Sequence, residues 1–205
     1  MKAIAIYLEG GGDTADGRTR LRKGMNAFLA PLRIAKGERS LRWAVIPCGP
    51  RDTTMAAFLD GEKTEPDTFN VLLVDSDDAV TRTPIDHLKD QGKKGLSAVA
   101  GDRVHLMVRI MESWIVADTK ALAGFYGQGF NPNALPKAAN LETVDKETVL
   151  QALAKATSTT KTKGAYHKIR HAGELLGIIG ADAVRQRCKH CDRLFLALQQ
   201  AIAGE

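Results

Sequence analysis

The chain has 205 residues, 44% of them hydrophobic and 26% charged, with a formal net charge of +5. This is the composition of an ordinary globular protein with a sizeable core, and no apolar run approaches the roughly 20 residues a membrane span needs. The first residues lack the pattern of a secretory signal and the three cysteines have no framework spacing, so a reducing, cytoplasmic setting without disulfides is expected, and the mild basic excess favours an acidic partner such as nucleic acid.

Taken in chain order, residues 3–8 read as a buried strand that runs into Glu9-Gly10-Gly11-Gly12-Asp13. Residues 18–32 predict a helix, with Leu21, Met25, Phe28, Leu29 and Leu32 on one face and Arg18, Arg20, Arg22 and Lys23 elsewhere. A strand over 41–46 is stopped by Pro47. A short helix over 53–59, a central strand over 69–74, a helix over 84–89 and a fourth strand over 104–108 follow. Such alternation predicts βαβ units and a mainly parallel four-stranded sheet flanked by helices, with its ligand site beyond the carboxyl ends of the strands.

After residue 110 the strand pattern stops. Residues 111–126 predict one helix ending at Gly127, 129–136 a loop, 144–156 another helix, and 157–163 a polar connector. Two terminal helices carry apolar stripes, one of Ile169, Ala172, Leu176 and Ile179, the other of Val184, Cys188, Cys191, Phe195, Leu198 and Ile202. The expected organisation is an α/β domain over 1–110 and an α-helical C-terminal extension over 111–205 packed on it.

The chemistry concentrates at strand ends. Asn70-Val-Leu-Leu-Val-Asp75-Ser-Asp77-Asp78 sets three acids within four positions. At about 4 Å and an effective dielectric near 20, two negative charges cost each other roughly 4 kcal/mol, which a divalent cation would relieve. Glu9 ends the first strand in the same way. Glu9, Asp75 and Asp77 are therefore candidate ligands for Mg²⁺ or Mn²⁺. In extended backbone Asp75 and Asp77 share a face and Asp78 points away as a cap. The bland alternative is that all three aspartates cap the next helix.

Other features carry less. Gly10 to Gly12 suit a sharp turn or a phosphate approach, but no Gly-Lys-Ser/Thr follows to make a Walker-type site. Glu112, opening a helix after the fourth strand, is explained as well by the helix dipole as by function. Cys188-Lys-His-Cys191 lacks a second ligand pair and falls on an apolar stripe, which favours core packing over zinc. His87, His105, His167 and His171 show no partner pattern. From residue 146 onward ten Lys/Arg face five Asp/Glu, and Lys161, Lys163, Lys168 and Arg170 form a short cluster able to meet phosphates, as does the Arg18–Arg20 stretch beside the glycine loop.

A Glu-Gly after the first strand and an Asp-x-Asp after the third, in β-α-β-α-β-α-β order, resemble the Toprim domain of topoisomerases, primases and OLD-type nucleases over about the first 110 residues. The longer pattern, with Met111-Glu-Ser-Trp-Ile-Val-Ala-Asp118, Tyr166-His-Lys168 and Cys191-Asp-Arg-Leu-Phe195, resembles a Toprim-like family catalogued as domain of unknown function 4276. That group is similar to RloB-like abortive-infection proteins, associated with ATPases in phage defence. The resemblance implies Glu9 as general acid/base or metal ligand, Asp75 and Asp77 as metal ligands, and Glu112 as a further acid of the site, counted with the metal ligands. Asp78 and the Gly-Gly-Gly-Asp loop depart from the pattern. The expected function is a Mg²⁺-dependent nuclease on DNA or RNA, with Glu9, Asp75 and Asp77 catalytic and Arg18, Arg20, Lys163 and Lys168 contacting nucleic acid. The rivals are a non-catalytic module binding nucleic acid or an ATPase partner, and a nucleotide-binding enzyme using the glycine loop.

Overall fold

The computed structural model describes residues 3–34 and 41–204. In chain order its elements are β1 (Ala3–Glu9), α1 (Ala15–Phe28), α2 (Ala30–Ile34), β2 (Arg42–Gly49), α3 (Arg51–Thr64), β3 (Thr68–Asp75), α4 (Pro84–Asp90) and β4 (Val104–Met107). There follow α5 (Met111–Ile115), α6 (Thr119–Tyr126), α7 (Lys146–Thr157), α8 (Lys168–Leu176), α9 (Ala181–Arg187) and α10 (Lys189–Ala203). The four strands form one parallel sheet in the order β2-β1-β3-β4.

β1 and β3 lie in the middle, and their near-continuous apolar runs follow from burial on both faces. On one face Ile4, Ile6, Leu8, Val71 and Leu73 meet α1 and the helices after residue 110, including Trp114, Leu176 and Leu198. On the other, Tyr7, Leu72 and Val74 pack against Met55 and Phe58 of α3 and Leu88 of α4. Phe28 stacks on Trp114 at 5.5 Å between centroids and meets Phe195 edge-on at 5.6 Å. Early and late parts of the chain thus share one core.

Caps account for where the helices differ from their expected bounds. Thr14 accepts from Gly17 N at 3.1 Å and starts α1 three residues early. The helix expected over 53–59 runs the full length of α3. Asp118 breaks the helix expected over 111–126, accepting from Ala121 N at 3.0 Å and from Gly180 N at 2.9 Å, so α5 and α6 are separate. Cys188, at φ −134°, ends α9 and precedes α10. Both Cys188 and Cys191 are fully buried, and burial pushes the Cys188 thiol up to about 12. Of the first terminal stripe, Ala172, Leu176 and Ile179 are buried while Ile169 is 52% exposed.

One contact positions everything that follows. α8 crosses α1 with backbone against backbone: a Cβ on Gly24 would stand 2.0 Å from the Gly173 carbonyl oxygen, and one on Gly173 would stand 2.6 Å from that of Arg20. Only glycine fits at either position. The approach brings the first turn of α8 over the carboxyl end of β1.

Candidate functional site

The strand register decides which side chains meet. Leu8 stands opposite Leu73, and Asp75 opposite Met107, so β1, β3 and β4 end at one edge. Glu9 is the last residue of β1, and Asp75 the last of β3. The Asp75 backbone N–H donates to Glu9 Oε2 at 3.1 Å, and Asp75 Oδ1 accepts from Met111 N at 2.8 Å at the start of α5. The next residue of that helix is Glu112, which is 0% exposed. Its Oε1 accepts from the Tyr166 hydroxyl at 2.9 Å and lies 3.5 Å from Lys168 Nζ, while its buried Oε2 has no hydrogen-bond partner.

The charges act on one another. Burial pushes the Asp75 carboxyl up to about 8; Lys168 opposes the rise, and the negative charges of Glu9 and Glu112 add to it. For Lys168, burial alone would depress the ammonium, but Glu112 and Asp75 outweigh it and hold the group above the usual lysine range. The Tyr166 phenol is raised by burial and by Glu112.

Asp77 belongs to a neighbouring group. The backbone leaves the extended conformation after Asp75, Asp77 has φ 60°, and its N–H donates to Arg109 O at 2.8 Å. The alternation that would put Asp75 and Asp77 on one face therefore ends before Asp77. Its carboxylate accepts from Arg51 Nη2 at 2.6 Å and lies 3.4 Å from Lys146 Nζ; burial would raise it, but these two cations hold it below the usual range. Arg51 also donates through Nε to Glu9 Oε2 at 3.1 Å. None of the three aspartates caps α4, whose cap is Thr83, accepting from Asp86 N at 3.2 Å. Exposed Asp78 instead accepts through its backbone oxygen from the Ser76 hydroxyl at 2.7 Å.

Of the basic candidates, Lys168 reaches the carboxylates. Lys163 pairs with Glu174 at 3.2 Å and lies 4.3 Å over the Phe125 ring. Arg20 pairs with Asp16 at 2.8 Å, and Arg18 packs beside Gly11. His87 is buried, with Nε2 3.0 Å from Ser76 O. Sequence reading passed over Arg51, although it stands just beyond the carboxyl end of β2, where the rule that picks Glu9 and Asp75 would have found it. Lys146 arrives through tertiary packing, with no local signal.

Among the described residues, no three His, Cys, Asp or Glu side chains are grouped so that they could hold a metal ion. Arg51 occupies Glu9 from one side, and Tyr166 with Lys168 occupies Glu112 from the other. Mg²⁺, however, is usually held by one or two carboxylates with waters and substrate phosphates completing its shell. Glu9 and Asp75 form such a pair, and the orphaned, buried Oε2 of Glu112 is a further acidic atom in want of a positive partner. The donor set fits a hard divalent cation at Glu9 and Asp75.

Beside these groups opens a cavity of about 340 Å³, walled by Gly10 to Gly12, Leu21, Pro50, Met111 and Ile169, with Glu9, Asp75 and Lys168 at its charged end.

The family model described as Domain of unknown function (DUF4276) matches residues 8–199, a span that holds every residue of this edge. The chain belongs to the DUF4276 family. No curated protein matches it. Among solved structures, the C-terminal region of the Xanthomonas campestris pv. campestris OLD protein is similar over 98% of this chain and 94% of that one, at 17% identity and a TM-score of 0.49. No described helix of this DUF4276 protein is long and apolar enough to cross a membrane.

Proposed function

We propose that this DUF4276 protein is a metal-dependent phosphodiesterase of Toprim type acting on DNA or RNA. The observation that carries the reading is the meeting of Glu9, Asp75 and Glu112 at one sheet edge, where their charges coincide on Asp75. Mg²⁺ or Mn²⁺ held by Glu9 and Asp75 would supply neutralisation of a phosphate and a water of lowered pKa. The protein groups do the rest. Glu9, fixed by hydrogen bonds from Asp75 N and Arg51 Nε, is oriented to take a proton at its carboxylate. Lys168, kept charged by Glu112 and Asp75, offers its ammonium to a phosphate oxygen. Arg51, drawn between Glu9 and Asp77, neutralises both acids.

A second reading has its own support. Glu9, Asp77 and Glu112 each already have a cation of the protein within 3.5 Å, as a non-catalytic nucleic-acid or partner-binding module would require. Incubating the full chain with end-labelled DNA and RNA in Mg²⁺, Mn²⁺ or EDTA decides between them. The phosphodiesterase reading expects metal-dependent cleavage that falls by about 10²- to 10⁴-fold in Glu9→Gln. Binding without cleavage, unchanged by that substitution, would support the module. The resemblance extends the proposal to phage defence beside an ATPase, which recovery of an ATPase with the tagged full chain from its native cells would test.

A further inference from the structure

The cavity beside the carboxylates has the wrong chemistry for a second phosphate and the right chemistry for a ring. Its charged members are Glu9, Asp13, Asp75 and Lys168, so beyond the end where Lys168 and a metal ion would meet one phosphate it offers no further cation to a second. Its remaining wall is apolar or bare backbone, from Leu21, Met111, Pro50, Ile169 and the glycines. The first turn of α8 forms the roof, held in place by the Gly24–Gly173 approach. Ile169 at this roof leaves 52% of its surface exposed, and a Cβ built on Gly12 would lie 3.7 Å from its Cδ1. Among the described residues, the N–H groups of Gly11 and Gly12 have no backbone acceptor. These are the ingredients of a slot for a flat, neutral group with polar rim atoms. A volume of about 340 Å³ stands at the small end of ligand cavities and admits one nucleoside, whereas a base still stacked in a duplex cannot enter.

We propose that this cavity receives the unstacked base of the nucleotide adjoining the phosphate held at Glu9, Asp75 and Lys168, which confines the site to single-stranded or frayed nucleic acid. The proposal rests on the phosphodiesterase reading for the placement of that phosphate. Apolar side chains and backbone then supply the stacking surface, and the free N–H groups of the glycine loop face the edge of the base.

The test separates binding from turnover. A fluorescent single-stranded 12-mer and the same sequence in a duplex are titrated against the full chain in Ca²⁺, which takes the same oxygen ligands, then incubated with it in Mn²⁺. The wild type is expected to bind the single strand at least about 10-fold tighter. Ile169→Ala should weaken single-strand binding by about 3- to 30-fold, the range of a lost apolar contact of a few methyl(ene) groups, with duplex binding and the melting temperature unchanged, and Ile169→Phe, which offers a ring to stack on, should restore it. Equal affinity for both forms, or an Ile169→Ala protein that binds single strands as the parent does, would overturn the proposal. Cleavage of single and double strands alike, untouched by Ile169→Ala, would also overturn it while leaving the phosphodiesterase reading standing. Single-strand preference that depends on Ile169 without any cleavage would uphold the base slot and remove the phosphodiesterase.

Discussion

The two ends of the sheet treat charge in opposite ways. At the amino edge, Arg103 donates to Glu62 at 3.3 Å and to Thr68 O at 3.2 Å, with its guanidinium 4.2 Å over Phe69. Arg193 donates to Val104 O at 2.8 Å, to His105 Nδ1 at 3.0 Å and to Gly101 O, while His105 Nε2 lies 2.8 Å from Asp102 O. Both of these arginines meet fixed acceptors, while the uncharged Trp43 Nε1 and Asn70 Oδ1, on the amino halves of β2 and β3, are buried without a hydrogen-bond partner. At the carboxyl edge Glu112 Oε2 is buried without a partner, and Asp75 is driven toward its neutral form. A buried charge group left unmatched costs stability, so a sheet selected for stability alone would look the same at both ends. The amino edge holds the fold, and the carboxyl edge keeps an electrostatic deficit that a ligand can fill.

The sharpest way to break this comparison is to remove one charge from each end. Arg193→Ala leaves the carbonyls of Val104 and Gly101 and the ring of His105 without their donor, and is expected to lower the unfolding free energy by about 2–3 kcal/mol in urea titration. Glu112→Gln should cost less than Arg193→Ala in the same titration, because it gives up the pairing with Lys168 but keeps an acceptor for Tyr166 and relieves the negative charge crowding Asp75. A large loss in both would mean that the two ends are alike.

Next in size is the response to pH, which the two ends should tilt in opposite senses. Asp75 is raised from 3.8 to about 8, so the folded state holds its proton more tightly than the unfolded chain, and stability falls as pH rises from about 4 through 8. His105 is lowered from 6.5 to about 3 by burial and by the positive Arg193, so its contribution is complete above 6.5 and is lost as pH falls toward 3. Melting temperatures from pH 3 to 9 should therefore lose their alkaline decline in Asp75→Asn and part of their acid decline in His105→Gln. Identical profiles for Asp75→Asn and the parent would refute the charge crowding at the carboxyl edge.

The smallest effect separates two lysines. Lys168→Gln should flatten the log-log salt dependence of single-strand binding by about one unit, as loss of one phosphate contact does, whereas Lys163→Gln should leave it unchanged because Glu174 and Phe125 already occupy that ammonium. Equal slopes for both would move the phosphate path away from α8.

What could be read from the sequence follows the range of the forces involved. Glu9 and Asp75 were legible because a run of apolar residues must end at a sheet edge, and the parallel order puts those ends together. The pairing of Asp75 with Asp77 was misread because alternation holds only in extended backbone, and φ at Asp77 is 60°. Glu112 could be read equally as a dipole effect or as part of the site, because its surroundings depend on Tyr166 and Lys168, more than fifty residues away. Arg51 was readable in principle from its place after Gly49-Pro50. The helix breaks at Asp118 and Cys188 were hidden by apolar stripes that run through them, since periodicity ignores both a capping carboxylate such as that of Asp118 and a single extended residue such as Cys188 at φ −134°. The helices after residue 110 pack on the α/β part, where Phe28 stacks on Trp114 and meets Phe195 edge-on.

The backbone contact between Gly24 and Gly173 also makes the edge a composite. Glu9 and Asp75 stand at strand ends of the sheet, but Tyr166, Lys168 and the roof over the cavity belong to a distant segment that reaches them only through α8. A sheet from which α8 is lifted carries the acids as an open shelf, without the lysine that balances them or the wall that shapes the slot. Because α8 docks by its glycine, the charged end and the cavity are gained or lost together.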